Sequence, residues 1–156
     1  MSSTLSAKIT IEKANQEAIR TLFESADADY RATHSELKNT PISAKEIDDS
    51  RGVLWVARVD GEVVGHVALG KLREDVYEIK RLLVVDEYRR IGIARKLLAV
   101  LEEFAKSAGA KSLVLETGTM QPAAISLYRR LNFEEVDAFF PYEKHPKSVF
   151  FEKHLE

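Results

Sequence analysis

The chain has 156 residues, 45% apolar and 31% charged. This is ordinary globular composition, long enough for one domain (1–156) that buries roughly two thirds of the surface its unfolded chain exposes. A net charge of −2 argues against bulk binding to nucleic acid or to an anionic membrane, so neither is an expected partner. With no cysteine, disulfides, thiolate metal sites and a cysteine nucleophile are excluded. The N-terminus lacks an apolar signal core and no run nears the ~20 residues of a membrane span, so a soluble, cytoplasmic protein is expected.

Met1 to Ala7 is small and polar and reads as a frayed end. Lys8 to Lys13 alternates, with Ile9 and Ile11 on one face, which predicts a first strand. From Gln16 to Tyr30 a stripe of Ala18, Ile19, Leu22, Phe23 and Ala26 predicts a helix, with Asn15 as its cap. Arg31 to Arg51 carries less pattern: His34, Pro41 and a short helix from Ala44 to Asp49. Val53–Val59 and Val63–Leu69 flank Asp60-Gly61-Glu62, a hairpin signal.

Tyr77 to Val85 is β-branched and aromatic over strand length. From Ala94 onward Leu97, Leu98, Leu101, Phe104, Ala105 and Ala108 recur at helical spacing, and Gly109 stands where the helix stops. Ser112–Glu116 reads as a short buried strand and Pro122–Leu131 as a helix with proline in its first turn. Phe133–Phe140 and Ser148–His154 read as two closing strands. Hairpins interleaved with crossovers predict a mixed α/β (α+β) sheet covered by helices. The central meander, and the lack of both Gly-x-Gly-x-x-Gly and Gly-Lys-Ser/Thr, count against a dinucleotide fold and a nucleotide P-loop.

The turn between the Tyr77 strand and the next helix breaks a local rule. Arg89, Arg90, Arg95 and Lys96 crowd a helix start, where the macrodipole favours Asp or Glu. One reading is a solvated turn whose arginines pair with Asp86 and Glu87, an arrangement worth little at a surface. The other is an anion seat: Gly92 allows a tight turn, and free amides at a helix N-terminus suit phosphate.

Arg89-x-x-Gly92-x-Ala94, after a strand ending Leu83-Val84-Val85, resembles the acyl-CoA signature of the GNAT superfamily of N-acetyltransferases. Gln121-Pro122-Ala123-Ala124-Ile125-Ser126-Leu127-Tyr128, then Leu131-Asn132-Phe133, resembles the family's downstream Asn-x-x-Ala-x-x-Leu-Tyr…Gly-Phe block. Two positions depart from it: Gln121 replaces Asn, and Asn132 replaces Gly, a mild change because Asn tolerates the left-handed conformation. The resemblance implies a mostly antiparallel sheet of six to seven strands flanked by about four helices, with acetyl-CoA as acyl donor. It implies that the amides of Arg90, Ile91, Gly92, Ile93, Ala94 and Arg95 wrap the pyrophosphate, with Arg89, Arg90 and Arg95 as countercharge. It also implies that the pantetheine arm lies along Leu83, Val84 and Val85, pairing with backbone groups of Leu83 and Val85, and that Gln121 contributes a cofactor contact. A bulge that splays this strand from its neighbour is part of the same implication, because it exposes donors for the thioester oxygen.

Acetyl transfer to an amine needs a base, and the resemblance places one at Glu78; read alone, Glu78 is equally a strand glutamate paired with Lys80 or Arg81. Tyr128 matches the family's general acid beside the sulfur, and otherwise reads as an aromatic on the core face of a short helix. His66, inside a strand, reads as a packed or hydrogen-bonded residue; His34 and His145 read as solvated loop residues that could border an acceptor pocket. No histidine pair has ligand spacing with a carboxylate, so no metal is expected. Trp55, Phe139, Phe140 and Tyr142 read as core or pocket wall, and the Phe140–Pro146 loop resembles one that approaches the acceptor site. Glu46, Asp48 and Asp49 could draw a cationic acceptor or form a solvated face. The expected partners are acetyl-CoA and a small-molecule or peptide amine, and the resemblance admits a homodimer. The expected function is direct-attack N-acetyl transfer, and the alternative is an acyl-CoA-binding sensor without turnover.

Overall fold

The computed structural model describes residues 6–34, 41–50 and 52–156. Most of the frayed end, together with 35–40 and Arg51 of the weakly patterned stretch, lies outside them. In chain order the elements are β1 (Lys8–Ile11), α1 (Glu17–Thr33), α2 (Ala44–Asp49), β2 (Val53–Val59), β3 (Glu62–Arg73) and β4 (Val76–Val84). A single 3₁₀ turn (Asp86–Tyr88) then leads to α3 (Ile93–Ser107), β5 (Ser112–Gly118), α4 (Pro122–Arg130), β6 (Glu134–Val136) and β7 (Ser148–His154). The seven strands form one sheet in the order β1-β2-β3-β4-β5-β7-β6. All neighbours are antiparallel except β4 and β5. Among the described residues no helix is long and apolar enough to cross a membrane.

Each face of the sheet carries its own core. Leu54, Val56 and Ala68 pack under α1 and α2 with Ile19, Phe23, Ala44 and Ile47. The alternate residues Trp55, Val67, Leu69, Ile79, Leu113 and Leu115 pack under α3 and α4 with Leu97, Leu101, Tyr128 and Phe133. This is the period-two pattern of a strand buried on both faces. The Asp60-Gly61 hairpin has φ of 50° and 84°, the doubly positive geometry that a two-residue connection requires.

Three local expectations are corrected. The cap of α1 is Gln16 without a side-chain hydrogen bond, because Asn15 Oδ1 instead accepts from Arg20 at 2.7 Å. The Phe133–Phe140 strand shrinks to Glu134–Val136, paired only with β7 as an outer strand. The acidic trio on α2 keeps Glu46 and Asp49 on a solvated face, but Asp48 turns in and accepts from the amides of Ala14 and Asn15 at 2.8 and 3.0 Å. Glu46 closes a capping box with Ser43, and Asp49 pairs with Lys45. Asp48 and Glu46 therefore hold backbone.

Candidate active site

β4 and β5 run parallel but share only the pairs Val76–Ser112, Tyr77–Leu113 and Glu78–Val114. Beyond Glu78 the strands part. On its other edge β4 gains one residue over β3, since the register passes from Ala68–Lys80 to His66–Leu83. The extra residue is Arg81, at φ 59°, a bulge of the kind that bends one strand away from its neighbour. Its side chain is held on three sides. The guanidinium pairs with Asp27 of α1 at 2.6 Å, donates to the Ile42 carbonyl at 2.8 and 3.0 Å and stacks 4.1 Å over Phe23. His66 fastens the backbone: its Nδ1 lies 2.7 Å from the Arg81 carbonyl, which can only accept, so Nδ1 carries the proton.

The gap opens a cavity of about 260 Å³ that passes between the two faces of the sheet, reaching Tyr30 on α1 and Tyr128 on α4. Cross-strand partners share a face, so Glu78, paired with Gly70 and Val114, lies on the α1/α2 side, as does Glu116 two residues beyond Val114. Glu78 is 3% exposed. Its Oε2 accepts from the Tyr142 hydroxyl at 2.5 Å, and Lys80 Nζ stands 3.6 Å from Oε1. Burial raises its pKa above the ordinary glutamate range, and Tyr142 and Lys80 only partly oppose this. Glu116 is likewise pushed up, first by burial and then by the Glu78 charge, against the Ser148 hydroxyl and the nearby Tyr30 hydroxyl. Ser148 donates to Glu116 at 3.0 Å. Burial also raises Tyr142 and Tyr30, joined by Glu78 and Glu116 at Tyr142 and by Glu116 at Tyr30.

Tyr128 occupies the α3/α4 side. It is 4% exposed, its ring meets Phe133 edge-on at 5.3 Å, and burial alone raises its pKa. The phenol therefore stays protonated across the neutral range. Gln121, just before α4, lines the cavity and accepts from Thr117 at 2.7 Å. Asn132 has φ 71°, the left-handed conformation anticipated there.

The basic turn lies at the open end of β4. Gly92 precedes α3 at φ 90°, and a Cβ built on it would meet nothing within 4 Å. Glycine is needed for conformation, and the space above it is open. Ile93, Ala94 and Arg95 begin α3, so their amides have no acceptor within the helix. Arg90, at φ 67°, and Arg95 are exposed, as are Ile91 and Lys96, while Arg89 pairs with Asp86 at 3.1 Å. The surface-pairing reading therefore holds for Arg89 alone.

One expectation about the strand shifts by a residue. The Val85 amide donates to the Val64 carbonyl at 2.9 Å, and the Leu83 carbonyl lies beside Gly65, 2.9 Å from where a Cβ would stand. Backbone groups alternate sides along a strand, so Leu83 and Val85 turn theirs toward β3. The groups facing the gap are those of Val84, whose carbonyl accepts from Arg89 Nε at 2.8 Å.

The structure brings Glu78, Tyr128, Gln121 and Leu83 to one cavity. His66 lines it too, buried and hydrogen-bonded as expected. His34 is not a solvated loop residue: it is 2% exposed, stacked on Tyr30 at 4.2 Å and pressed against Gly118, where a Cβ would meet Nε2 at 2.2 Å. His145 accepts from the Lys147 amide at 3.0 Å. Trp55 is core, whereas Phe140 is 85% exposed. Sequence reasoning missed Glu116, Tyr30 and the bulge residue Arg81. Among the described residues no cluster of three or more His, Cys, Asp or Glu could hold a metal.

A buried carboxylate and a buried phenol thus flank one strand gap, and a basic turn with free helix amides follows the strand. The Acetyltransferase (GNAT) family model matches residues 13–133. An IAA acetyltransferase of Azospirillum brasilense is 38% identical over 152 residues, 94% of this chain and 97% of that protein. The chain spans less than half the length of the animal N-acetyltransferases that it also matches. A solved Klebsiella pneumoniae structure assigned to the acyl-CoA N-acyltransferases is 31% identical with a TM-score of 0.83, covering 98% of this chain and 100% of that one. The PaiA N-acetyltransferase of Thermoplasma acidophilum, solved with coenzyme A, shares the fold at a TM-score of 0.71 and 19% identity, covering 95% and 99%. The chain belongs to the GNAT family of acetyltransferases.

Proposed function

We propose that this single domain works in the cytoplasm and acetylates an amine by direct attack on acetyl-CoA, with Glu78 as general base and Tyr128 as general acid. The observation that carries this reading is the placement of a buried carboxylate and a buried phenol on opposite faces of one gap in the sheet.

The diphosphate is seated on the amides from Arg90 to Arg95, with Arg90 and Arg95 as countercharge. The pantetheine arm follows β4 and uses Val84. Glu78 takes a proton from the acceptor ammonium, R–NH₃⁺, leaving R–NH₂ and a neutral carboxyl. The amine lone pair forms the new C–N bond at the acetyl carbon, and the carbonyl oxygen gains charge beside the splayed strand. The C–S bond then breaks as Tyr128 donates its proton to the departing sulfur. The amide nitrogen releases its extra proton to the phenolate through solvent, and Glu78 returns its proton to water. The balance is R–NH₃⁺ plus acetyl-CoA giving R–NH–acetyl, CoA–SH and H⁺.

The test is release of free thiol from acetyl-CoA in the presence of an amine library, supplemented with IAA because the Azospirillum relative bears that name. Acceptor-dependent thiol release supports transfer. Tight acetyl-CoA binding in calorimetry with no release across the library would favour the sensor alternative.

A further inference from the structure

Glu116 sits in the same cavity as Glu78 on the next strand, yet the two carboxylates are compensated differently. Glu78 has Lys80 at 3.6 Å, and the third acid of the cavity, Asp27, has Arg81 at 2.6 Å. Among the described residues no cation pairs with Glu116; the groups that support it are the neutral hydroxyls of Ser148 and Tyr30. A half-buried carboxylate beside a second one is costly unless something positive shares the site.

A further group in the cavity wall has an atom with no hydrogen-bond partner among the described residues. His66 is 1% exposed and commits its Nδ1 proton to the Arg81 carbonyl, which leaves Nε2 as an acceptor that no described group satisfies. A carboxylate has about four lone-pair sites and a primary ammonium three N–H donors. The cavity thus offers unused acceptors, and a ligand rich in N–H donors would match them. The reacting ammonium cannot neutralise Glu116 throughout, since it loses its charge to Glu78 before attack.

Resting on the transferase reading above, we infer that Glu116 is a specificity residue that holds a second, non-reacting cationic group of the acceptor, so that the preferred acceptors are diamines or amines of comparable charge.

The experiment compares wild type, Glu116→Gln and Glu116→Asp in thiol-release assays. The panel contains 1,4-diaminobutane, n-butylamine, γ-aminobutyrate, free amino acids and short peptides with and without lysine, alongside acetyl-CoA binding by calorimetry. The expected result is that members with a second cation surpass their matched partners by at least tenfold in kcat/KM in wild type. Glu116→Gln should erase that preference through KM, with kcat for the monoamine and acetyl-CoA affinity unchanged, and Glu116→Asp should restore part of it. Equal use of 1,4-diaminobutane and n-butylamine by wild type, or a preference that survives in Glu116→Gln, overturns the inference and leaves the transferase reading intact. Binding of acetyl-CoA without thiol release from any panel member overturns the catalytic reading and this inference with it.

Discussion

Glu78 and Tyr128 line the same gap from opposite faces of the sheet and are similarly buried, but burial serves different ends in them. Both groups are pushed to higher pKa because a low-polarity site penalises the charged form. For the carboxyl this moves proton uptake toward neutral pH, where a base is most useful. For the phenol it keeps the proton in place, as a donor requires. The surroundings differ accordingly. Glu78 retains a hydroxyl donor and a lysine that support its ionised form, while the ring of Tyr128 has aromatic neighbours, Phe133 and Phe151. One mechanism of pKa control thus acts on both faces of the sheet, in the direction that the proposed base and acid roles require.

The most severe way to break this contrast is Glu78→Gln. Turnover should fall by about 10²–10⁴, and the acid limb of the kcat/KM–pH profile, which reports Glu78 protonation, should vanish; a retained limb would assign the base elsewhere. The contrast also presumes that the thioester is delivered to the gap. Gly92→Glu puts bulk and negative charge over the phosphate seat and should weaken acetyl-CoA binding by at least about 100-fold in calorimetry, or about 2.7 kcal/mol. The same variant forces a side chain into positive φ, so chemical denaturation should show a folded domain weakened by about 1–2 kcal/mol.

Smaller effects sharpen the comparison. Tyr128→Phe should lower kcat by about tenfold while leaving the acid limb where it is, because the phenol remains protonated throughout that range. Tyr142→Phe removes a donor that favours ionised Glu78, so the acid limb should move to higher pH with little change in the plateau; a move to lower pH would contradict the hydrogen bond.

His66 gives the least kinetic and the most purely thermodynamic effect. Burial lowers its pKa from 6.5 to about 4. The unfolded chain therefore binds a proton that the folded chain does not, and stability present above pH 6.5 is lost as pH falls through 4, at about 1.4 kcal/mol per pH unit. His66→Asn, which can keep a donor toward Arg81, should flatten urea-denaturation stability over that window.

Much of the architecture was legible because the signals are local. The α2 boundaries, the Asp60-Gly61 hairpin and the α3 stripe follow from capping, turn chemistry and periodicity within a few residues. Glu78 and Tyr128 were singled out by the family resemblance, and both line the gap. Glu116 was not, because at the end of a short apolar strand a glutamate looks like any strand terminus until β5 is laid beside β4. Nor was the one-residue shift at Val84: a bulge at Arg81 changes which backbone groups face the gap, and an arginine carries no signal for positive φ. Asp48 of α2 misled for the same reason, since its partners Ala14 and Asn15 lie 33 or more residues away.

The amino-acid order by itself determined the elements, the basic turn with its obligatory glycine, and the membership of the acetyltransferase class, since each depends on neighbours along the chain. Only the tertiary structure decided where β4 and β5 separate, which carboxylates meet in the gap, and which of them has no cationic partner among the described residues. Those properties arise from desolvation and charge across strands that are distant in sequence, and such interactions exist only after the sheet has assembled.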